Sequence, residues 1–199
     1  MNAAPTTPDV REHILATAHP LLLARGFTAV GLAEVLSAAA VPKGSFYHYF
    51  ASKEAFGEAL LERYFAGYLA HAEALLNGPG NAAQRLLAYF EDWQDSQTGD
   101  EARSRCPVVK LGAEVSDLSE IMRAALQRGT GRVTARITRC IAEGQVDGSL
   151  AHLAAAESDQ LGRTLYQDWL GASLLAKILR DRAPLDTAMA NTRTLLNLD

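Results

Sequence analysis

Apolar residues recur every three or four positions along most of the chain, which is the period of an amphipathic α-helix. Residues 10–25 are predicted to form the first helix, with one apolar face made of Ile14, Ala18, Leu21 and Leu22. Pro8 precedes this helix and Gly26 follows it, as expected at helix ends. Pro20 lies inside it, where a proline is expected to bend the helix or end it early.

The same period predicts eight further helices. We expect them at residues 32–39, 43–50, 53–76, 82–97, 107–115, 118–143, 155–179 and 184–196. Ser52 is positioned to cap the fourth helix, and Pro107 stands at the favoured first position of the sixth. Gly129 and Gly131 are expected to weaken the seventh helix.

Composition supports an all-α fold. Of the 199 residues, 48% are apolar, which is enough for a sizeable core. Alanine and leucine supply 63 residues, whereas valine and isoleucine supply only 14. Because β-branched residues favour strands, this balance disfavours an all-β or parallel-sheet fold.

Charge and cysteine content narrow the class of protein. The net charge of −4 argues mildly against a nucleic-acid partner, so any DNA binding must depend on local placement of charge. No apolar run approaches the ~20 residues that span a bilayer, and no signal peptide is visible. Two cysteines are too few for a disulfide framework. We therefore expect a cytoplasmic protein with reduced cysteines and no membrane partner.

The second and third helices are short and closely spaced, which makes them a helix-turn-helix candidate. Phe46 and Phe50 are four positions apart and share a face that is expected to enter the core. Ser45, Tyr47 and His48 then project elsewhere, and such side chains suit a DNA groove.

Lys43 and Lys53 each stand at the start of a predicted helix, where the helix dipole disfavours a cation. Both positions make sense if a phosphate sits in front of the helix ends. From residue types alone, an alternative stays open in which the lysines are simply solvated and the aromatic residues belong to the core.

Three short motifs bring in a known family. These are Gly26-Phe27-Thr28, Pro42-Lys43-Gly44-Ser45-Phe46-Tyr47-His48-Tyr49-Phe50 and Ser52-Lys53-Glu54. Together they resemble the DNA-binding domain of TetR-type transcriptional repressors. The resemblance implies an N-terminal DNA-binding domain at 1–52 and a ligand-sensing and dimerisation domain at 53–199. It also implies operator contacts from Thr28, Lys43, Gly44, Ser45, Tyr47, His48 and Lys53. Gly31 departs from the Ser or Thr usual in that family.

A second cluster surrounds a cysteine. Cys106 stands at the start of the sixth helix, with Arg103 and Arg105 before it and Lys110 one turn later. A helix start and nearby cations lower a thiol pKa below its free value of about 8.5, which makes the thiol a nucleophile and an oxidation target. A buried cysteine acting as a small hydrophobe remains the alternative. Cys140 lacks such neighbours, and we assign it a structural role.

Residues 105–120 and 169–177 are similar to a TetR subgroup that senses reactive electrophiles. This resemblance implies that Cys106 is the sensor, and a lysine of the subgroup matches Lys177, which we therefore also expect at the inducer-sensing site. Pro107 departs from the aliphatic residue usual after the cysteine. Related repressors share the cysteine and lysine but answer to other small molecules, so a non-covalently bound inducer in a C-terminal cavity remains an alternative. Taken alone, Lys177 fits a long side chain that reaches water from an apolar helix.

The eighth helix carries an apolar stripe flanked by small residues, which could pack inside the chain or against a second copy. By resemblance, the last two helices form the four-helix bundle of a homodimer. The expected interface residues are Leu161, Leu165, Trp169, Ala172, Ser173 and Ala176.

No enzyme signature is evident. The five histidines lack metal-ligand spacing, and no nucleotide-binding loop is present. An alternative hypothesis is a small enzyme with Cys106 as its nucleophile. It is disfavoured because no histidine that could activate the thiol lies near Cys106 in sequence. We expect no cofactor and no metal. The expected partners are palindromic operator DNA, a reactive electrophile or other small inducer, and a second copy of the chain.

Overall fold

The computed structural model describes residues 9–98 and 107–198, and this part of the chain is all-helical, as predicted. Its nine α-helices are α1 (Val10–Arg25), α2 (Leu32–Ala38), α3 (Lys43–Tyr49), α4 (Lys53–Leu76), α5 (Ala82–Thr98), α6 (Pro107–Leu118), α7 (Glu120–Asp147), α8 (Ser158–Leu179) and α9 (Ala183–Leu196).

Most helix ends lie within three residues of their predicted positions. The Asp9 carboxylate caps α1, and the Ser52 hydroxyl accepts a hydrogen bond from the Ala55 N–H at 3.1 Å, as predicted for α4. The expected early break at Pro20 does not occur, since α1 continues to Arg25. The buried side chains of Ala18 and Leu22, on either side of the proline, hold this part of the helix in the core.

The division between α6 and α7 differs from the prediction. Ser119, expected inside a helix, instead caps α7. Residues 144–147, expected to form a turn, continue α7 to Asp147, and the left-handed Gly148 ends the helix. A short 3₁₀ turn, Ala155–Glu157, precedes α8.

The first three helices pack around an aromatic cluster formed by Phe46, Phe50 and Phe56. The ring centroids of Phe46 and Phe50 are 5.0 Å apart, and those rings lie 5.4 and 5.1 Å from Phe56. Because Phe56 belongs to α4, the N-terminal helices share their core with the long helix that continues into the rest of the chain.

The remaining helices form a bundle in which α4 and α7 pack along each other and α8 packs against α7 and α9. The fully buried Trp169 lies inside this bundle. Its ring stacks on Phe90 at 5.1 Å, and its indole N–H donates to the Thr192 hydroxyl at 2.9 Å. The Trp93 indole donates likewise to the Ser173 hydroxyl at 3.0 Å.

The outer edge of the contact between α4 and α7 is lined with ion pairs. Arg128 contacts Glu58 and Glu62, and Glu73 accepts hydrogen bonds from Arg136 and Arg139. These pairs fix the two longest helices against each other. Within the described residues, no helix is both long enough and apolar enough to cross a membrane.

Candidate DNA-binding surface and sensor region

Helix α3 divides its residues between core and surface. Phe46 is completely buried, whereas the neighbouring Tyr47 is 53% exposed. Lys43, Gly44 and His48 are also exposed, and Ser45 is half-buried. Five of the seven predicted DNA-contacting residues therefore lie on one short helix, and all five are exposed or half-buried.

Tyr49 was not predicted as a site residue, yet it is 37% exposed. Its ring meets the His48 ring edge-on at 4.9 Å. The partial exposure of Tyr49 could have been expected from the sequence. A residue three positions from Phe46 and one from Phe50 falls at the margin of the buried face of the helix.

The structure places the other two predicted contacts, Thr28 and Lys53, in a different environment. Lys53 donates to the backbone carbonyls of Phe27 at 3.2 Å and Val30 at 3.1 Å, and its ammonium lies 4.9 Å from the Phe27 ring centroid. The Thr28 N–H and hydroxyl both donate to the carboxylate of Glu114. An anion in front of α4 is therefore not needed to explain a lysine at position 53. Its contact with phosphate stays a prediction.

The predicted sensor cysteine, Cys106, lies outside the described residues, as do Arg103 and Arg105. The described chain resumes at Pro107, which opens α6 as predicted. Lys110 is half-buried on the first turns of that helix, and Lys177 is exposed on the last turn of α8.

Cys140 has the environment of a structural cysteine. Its thiol is buried and lies 3.6 Å from the carbonyl oxygen of Ala82. Burial raises the pKa of the Cys140 thiol to about 11. Since the thiolate is the nucleophilic form, this cysteine is unreactive at neutral pH.

The bundle contains a cavity of about 600 Å³ that sequence reasoning did not locate. Aromatic side chains make up much of its wall, namely Tyr64, Phe65, Tyr68, Trp93 and Tyr166. Polar groups come from Ser96, Gln97 and the His71–Asp92 pair, whose Nε2 and Oδ2 atoms are 2.9 Å apart. Val108, on the first turn of α6, also lines it. A cavity of this size and lining suits a small, largely apolar molecule.

The stripe predicted as the dimer interface is largely packed inside the chain, so its burial within one protomer leaves little of it exposed to a partner, and its place in the interface stays a prediction. Buried residues make up nearly all of it: Leu161, Leu165, Trp169, Ala172 and Ser173, with Ala176 half-buried. The helical period correctly identified an apolar face, but α5 and α9 of the same chain cover it, as the Trp93–Ser173 and Trp169–Thr192 hydrogen bonds show.

Comparison with known proteins identifies the family. Residues 14–60 match the model described as "Bacterial regulatory proteins, tetR family", and residues 82–192 match "Tetracyclin repressor-like, C-terminal domain". The HTH-type transcriptional repressor NemR of Escherichia coli (strain K12) is 45% identical over 192 residues, which is 96% of each chain. The chain belongs to the TetR family.

Two further likenesses extend over most of this TetR-family chain. The HTH-type transcriptional repressor DhaR of Mycobacterium sp. (strain GP1) is 34% identical over 178 residues, covering 89% of this chain and 87% of that one. A crystal structure of E. coli NemR in its reduced form superimposes with a TM-score of 0.88 at 47% identity, covering 94% of this chain and 96% of that one. The predicted family and all-α fold are thereby confirmed.

Family membership also decides the class of activity. TetR-family proteins are transcriptional regulators, so this chain is a regulator and not an enzyme. Within the described residues, no group of three or more His, Cys, Asp or Glu side chains is arranged to hold a metal ion.

Proposed function

We propose that this TetR-family regulator is a cytoplasmic, dimeric repressor that binds palindromic operator DNA through α3 and leaves it when a reactive electrophile or oxidant modifies Cys106. The observation that carries the DNA-binding part is the exposed face of α3. A buried Phe46 anchors the helix, while Tyr47, His48 and Lys43 point away from the core.

Each exposed group on α3 has a suitable task at DNA. The tyrosine hydroxyl and the imidazole can hydrogen-bond to base edges in the major groove, and the lysine ammonium can neutralise a phosphate. Base contacts specify the sequence and phosphate contacts set the salt dependence. Two copies of α3 in a dimer read half-sites about 34–36 Å apart, or a multiple of that distance.

The test begins with a palindrome selected from random duplexes by the parent protein. Tyr47→Ala is expected to weaken binding to that site by at least tenfold while leaving the fold intact, because more than half of the side chain is exposed. Val146→Ala, at a 90% exposed position on α7, is the control and should bind like the parent. If Tyr47→Ala binds the selected site as tightly as the parent does, the proposal that this face of α3 contacts DNA is contradicted.

The dimer seam that best fits the structure lies on the outer side of α8. Four large apolar residues are exposed near its end, Leu174, Leu175, Ile178 and Leu179, together with Leu195 on α9. Exposed apolar residues clustered in this way mark a protein contact. Gly171 leaves open space at the same surface, where a second helix could approach closely.

Leu174→Glu tests this seam. A charge in the interface should shift the protein to monomers in sedimentation velocity and weaken operator binding. The control is Val146→Glu, which adds the same charge at another exposed apolar position. If Leu174→Glu remains a dimer, the interface lies elsewhere.

For the sensor, support comes from three sources. The Cys106 sequence environment favours a thiolate. The second cysteine, Cys140, is buried and unreactive. One of the relatives reported above is NemR, whose crystal structure is of a reduced form. In a gel-shift titration with N-ethylmaleimide, Cys106→Ser should keep the operator bound at reagent doses that release the parent. Cys140→Ser should respond like the parent. Release of Cys106→Ser at the parental dose would contradict covalent sensing.

The cavity favours a second candidate, a repressor induced by a non-covalently bound molecule. Gly67 lines the cavity, and a Cβ added there meets no atom within 4 Å, so Gly67→Leu places a new side chain at the cavity wall. Non-covalent induction predicts that Gly67→Leu loses its response while Cys106→Ser keeps it. Covalent sensing at Cys106 predicts the reverse, and mass spectrometry of the treated protein would find the adduct.

A further inference from the structure

Glu114 joins the body of the protein to the turn that follows α1. One carboxylate oxygen accepts a hydrogen bond from the Phe27 N–H at 3.2 Å. The other accepts from the Thr28 N–H at 2.7 Å and from the Thr28 hydroxyl. Glu114 lies on α6, 86 residues from Thr28 in sequence. Three hydrogen bonds from one side chain therefore link α6 directly to the N-terminal helices.

Helix α4 also contacts this turn, through Lys53 and Gly57. Lys53 donates to the carbonyl oxygens of Phe27 and Val30. The Phe27 ring rests where Gly57 has no side chain, since a Cβ there would lie 2.8 Å from the ring. Carbonyls held by α4 and N–H groups held by α6 leave the turn little freedom to move independently of either helix.

The fit between Glu114 and the turn is close. Gly26 has a φ of +98°, and a Cβ at that position would lie 3.0 Å from the Glu114 carboxylate. Partial burial acts to raise the pKa of Glu114, but the hydrogen bonds from Thr28 and Phe27 outweigh it and lower the pKa below its usual value. The carboxylate is thus ionised at neutral pH, and its hydrogen bonds are charge-assisted, which makes them about twice as strong as neutral ones.

Helix α6 begins next to the proposed sensor cysteine. It begins at Pro107, the residue after Cys106, and Glu114 lies seven residues further on. At 1.5 Å per residue, that is roughly 10 Å along one uninterrupted helix. A rigid helix of this length would carry a displacement of its first turn to the Glu114 carboxylate.

We infer that Glu114 is the positioning residue through which α6 holds the DNA-binding helices in their operator-binding arrangement. This inference rests on the proposed release by modification of Cys106. When α6 is displaced, the carboxylate leaves the Phe27 and Thr28 N–H groups, the turn is no longer fixed to the body, and α3 loses its spacing relative to the partner copy.

The measurement that tests this is a ratio of two operator dissociation constants, one after treatment with N-ethylmaleimide and one before it. The ratio reports the coupling between the sensor and the DNA-binding surface, and a residue with a merely structural role would not change it. Glu114→Gln keeps the side-chain shape but removes the charge, so the ratio should fall at least tenfold. Asp117→Asn, an exposed carboxylate on the same helix, is the matched control and should keep the parental ratio.

Thr28→Val provides a second, milder variant should Glu114→Gln fail to fold. It removes one hydrogen bond from an exposed side chain and leaves both backbone N–H groups in place, so the ratio should fall about two- to fivefold. A parental ratio in the folded Glu114 variant, or in Thr28→Val, overturns the inference. A parent protein that does not respond to the reagent instead overturns the proposed function, so the two failures are distinguishable.

Discussion

Two glycines on α7, Gly129 and Gly131, should respond in opposite directions to the same substitution. Both lie inside the helix, where alanine is intrinsically favoured over glycine by about 0.8–1.0 kcal/mol. Gly131 is exposed, and a Cβ there meets no atom within 4 Å. Gly131→Ala should therefore raise the free energy of unfolding by nearly the full intrinsic amount, about 1 kcal/mol.

Gly129 faces α4 instead. A Cβ at this position would lie 2.1, 2.2 and 2.4 Å from three ring carbons of Phe65, whose side chain is itself buried. Overpacking of this kind costs typically 1–3 kcal/mol and occasionally more. We take the upper value because a ring in a packed core moves with difficulty. The gain of ~1 kcal/mol from helix propensity offsets part of this cost. Gly129→Ala should therefore lower the free energy of unfolding by about 2 kcal/mol.

The assay is thermal and urea unfolding of both variants at the same protein concentration as the parent, because dimer stability depends on concentration. For a chain of this size, 1 kcal/mol corresponds to roughly 2–4 °C in Tm. Gly131→Ala should melt about 2–4 °C above the parent, and Gly129→Ala about 4–8 °C below it. If Gly129→Ala were as stable as Gly131→Ala, the close packing of α4 against α7 would be refuted.

Three further predictions concern single contacts. Ser52→Ala removes the cap of α4 and should lower the free energy of unfolding by about 1 kcal/mol in a urea titration. Thr192→Val leaves the buried Trp169 indole N–H unpaired and should cost about 1–3 kcal/mol, with a shift in tryptophan fluorescence; an unchanged urea midpoint would contradict the contact. Hydrogen bonds from Arg139, Asn77 and Arg136 lower the pKa of Glu73 to about 2. Its stabilising contribution should therefore be complete above about pH 4.5, the ordinary pKa of a glutamate, and disappear as the pH falls toward 2, a dependence that Glu73→Gln should abolish.

Much of the fold was predictable because its signals are local. A serine followed by a helical pattern defined the start of α4, and a proline after a cysteine defined the start of α6. Where the prediction missed, the competing signal was also local. The prediction puts Ser119 inside a helix although serine favours caps, and it assigns Gly144 to a turn, whereas Gly144 packs against Leu150 inside α7.

The candidate sites were predictable only in part. The exposed face of α3 followed from the spacing of Phe46 and Phe50. By contrast, the hydrogen bonds between Glu114 and Thr28 join residues that are 86 positions apart, and no local sequence pattern predicts them. The stripe on α8 shows a second limit, because helical periodicity identifies an apolar face but not which surface covers it.

The aromatic cluster of Phe46, Phe50 and Phe56 bears on how this regulator can be rebuilt. A cut at the predicted boundary after Ser52 would separate Phe56 from its two ring partners and discard the Lys53 ammonium that holds the turn after α1. Residues 1–52, the predicted DNA-binding domain, therefore cannot be exchanged between regulators as an independent unit. A chimera that transplants it onto another regulator must carry the first turns of α4 and recreate an acceptor for the Thr28 hydroxyl in its new host.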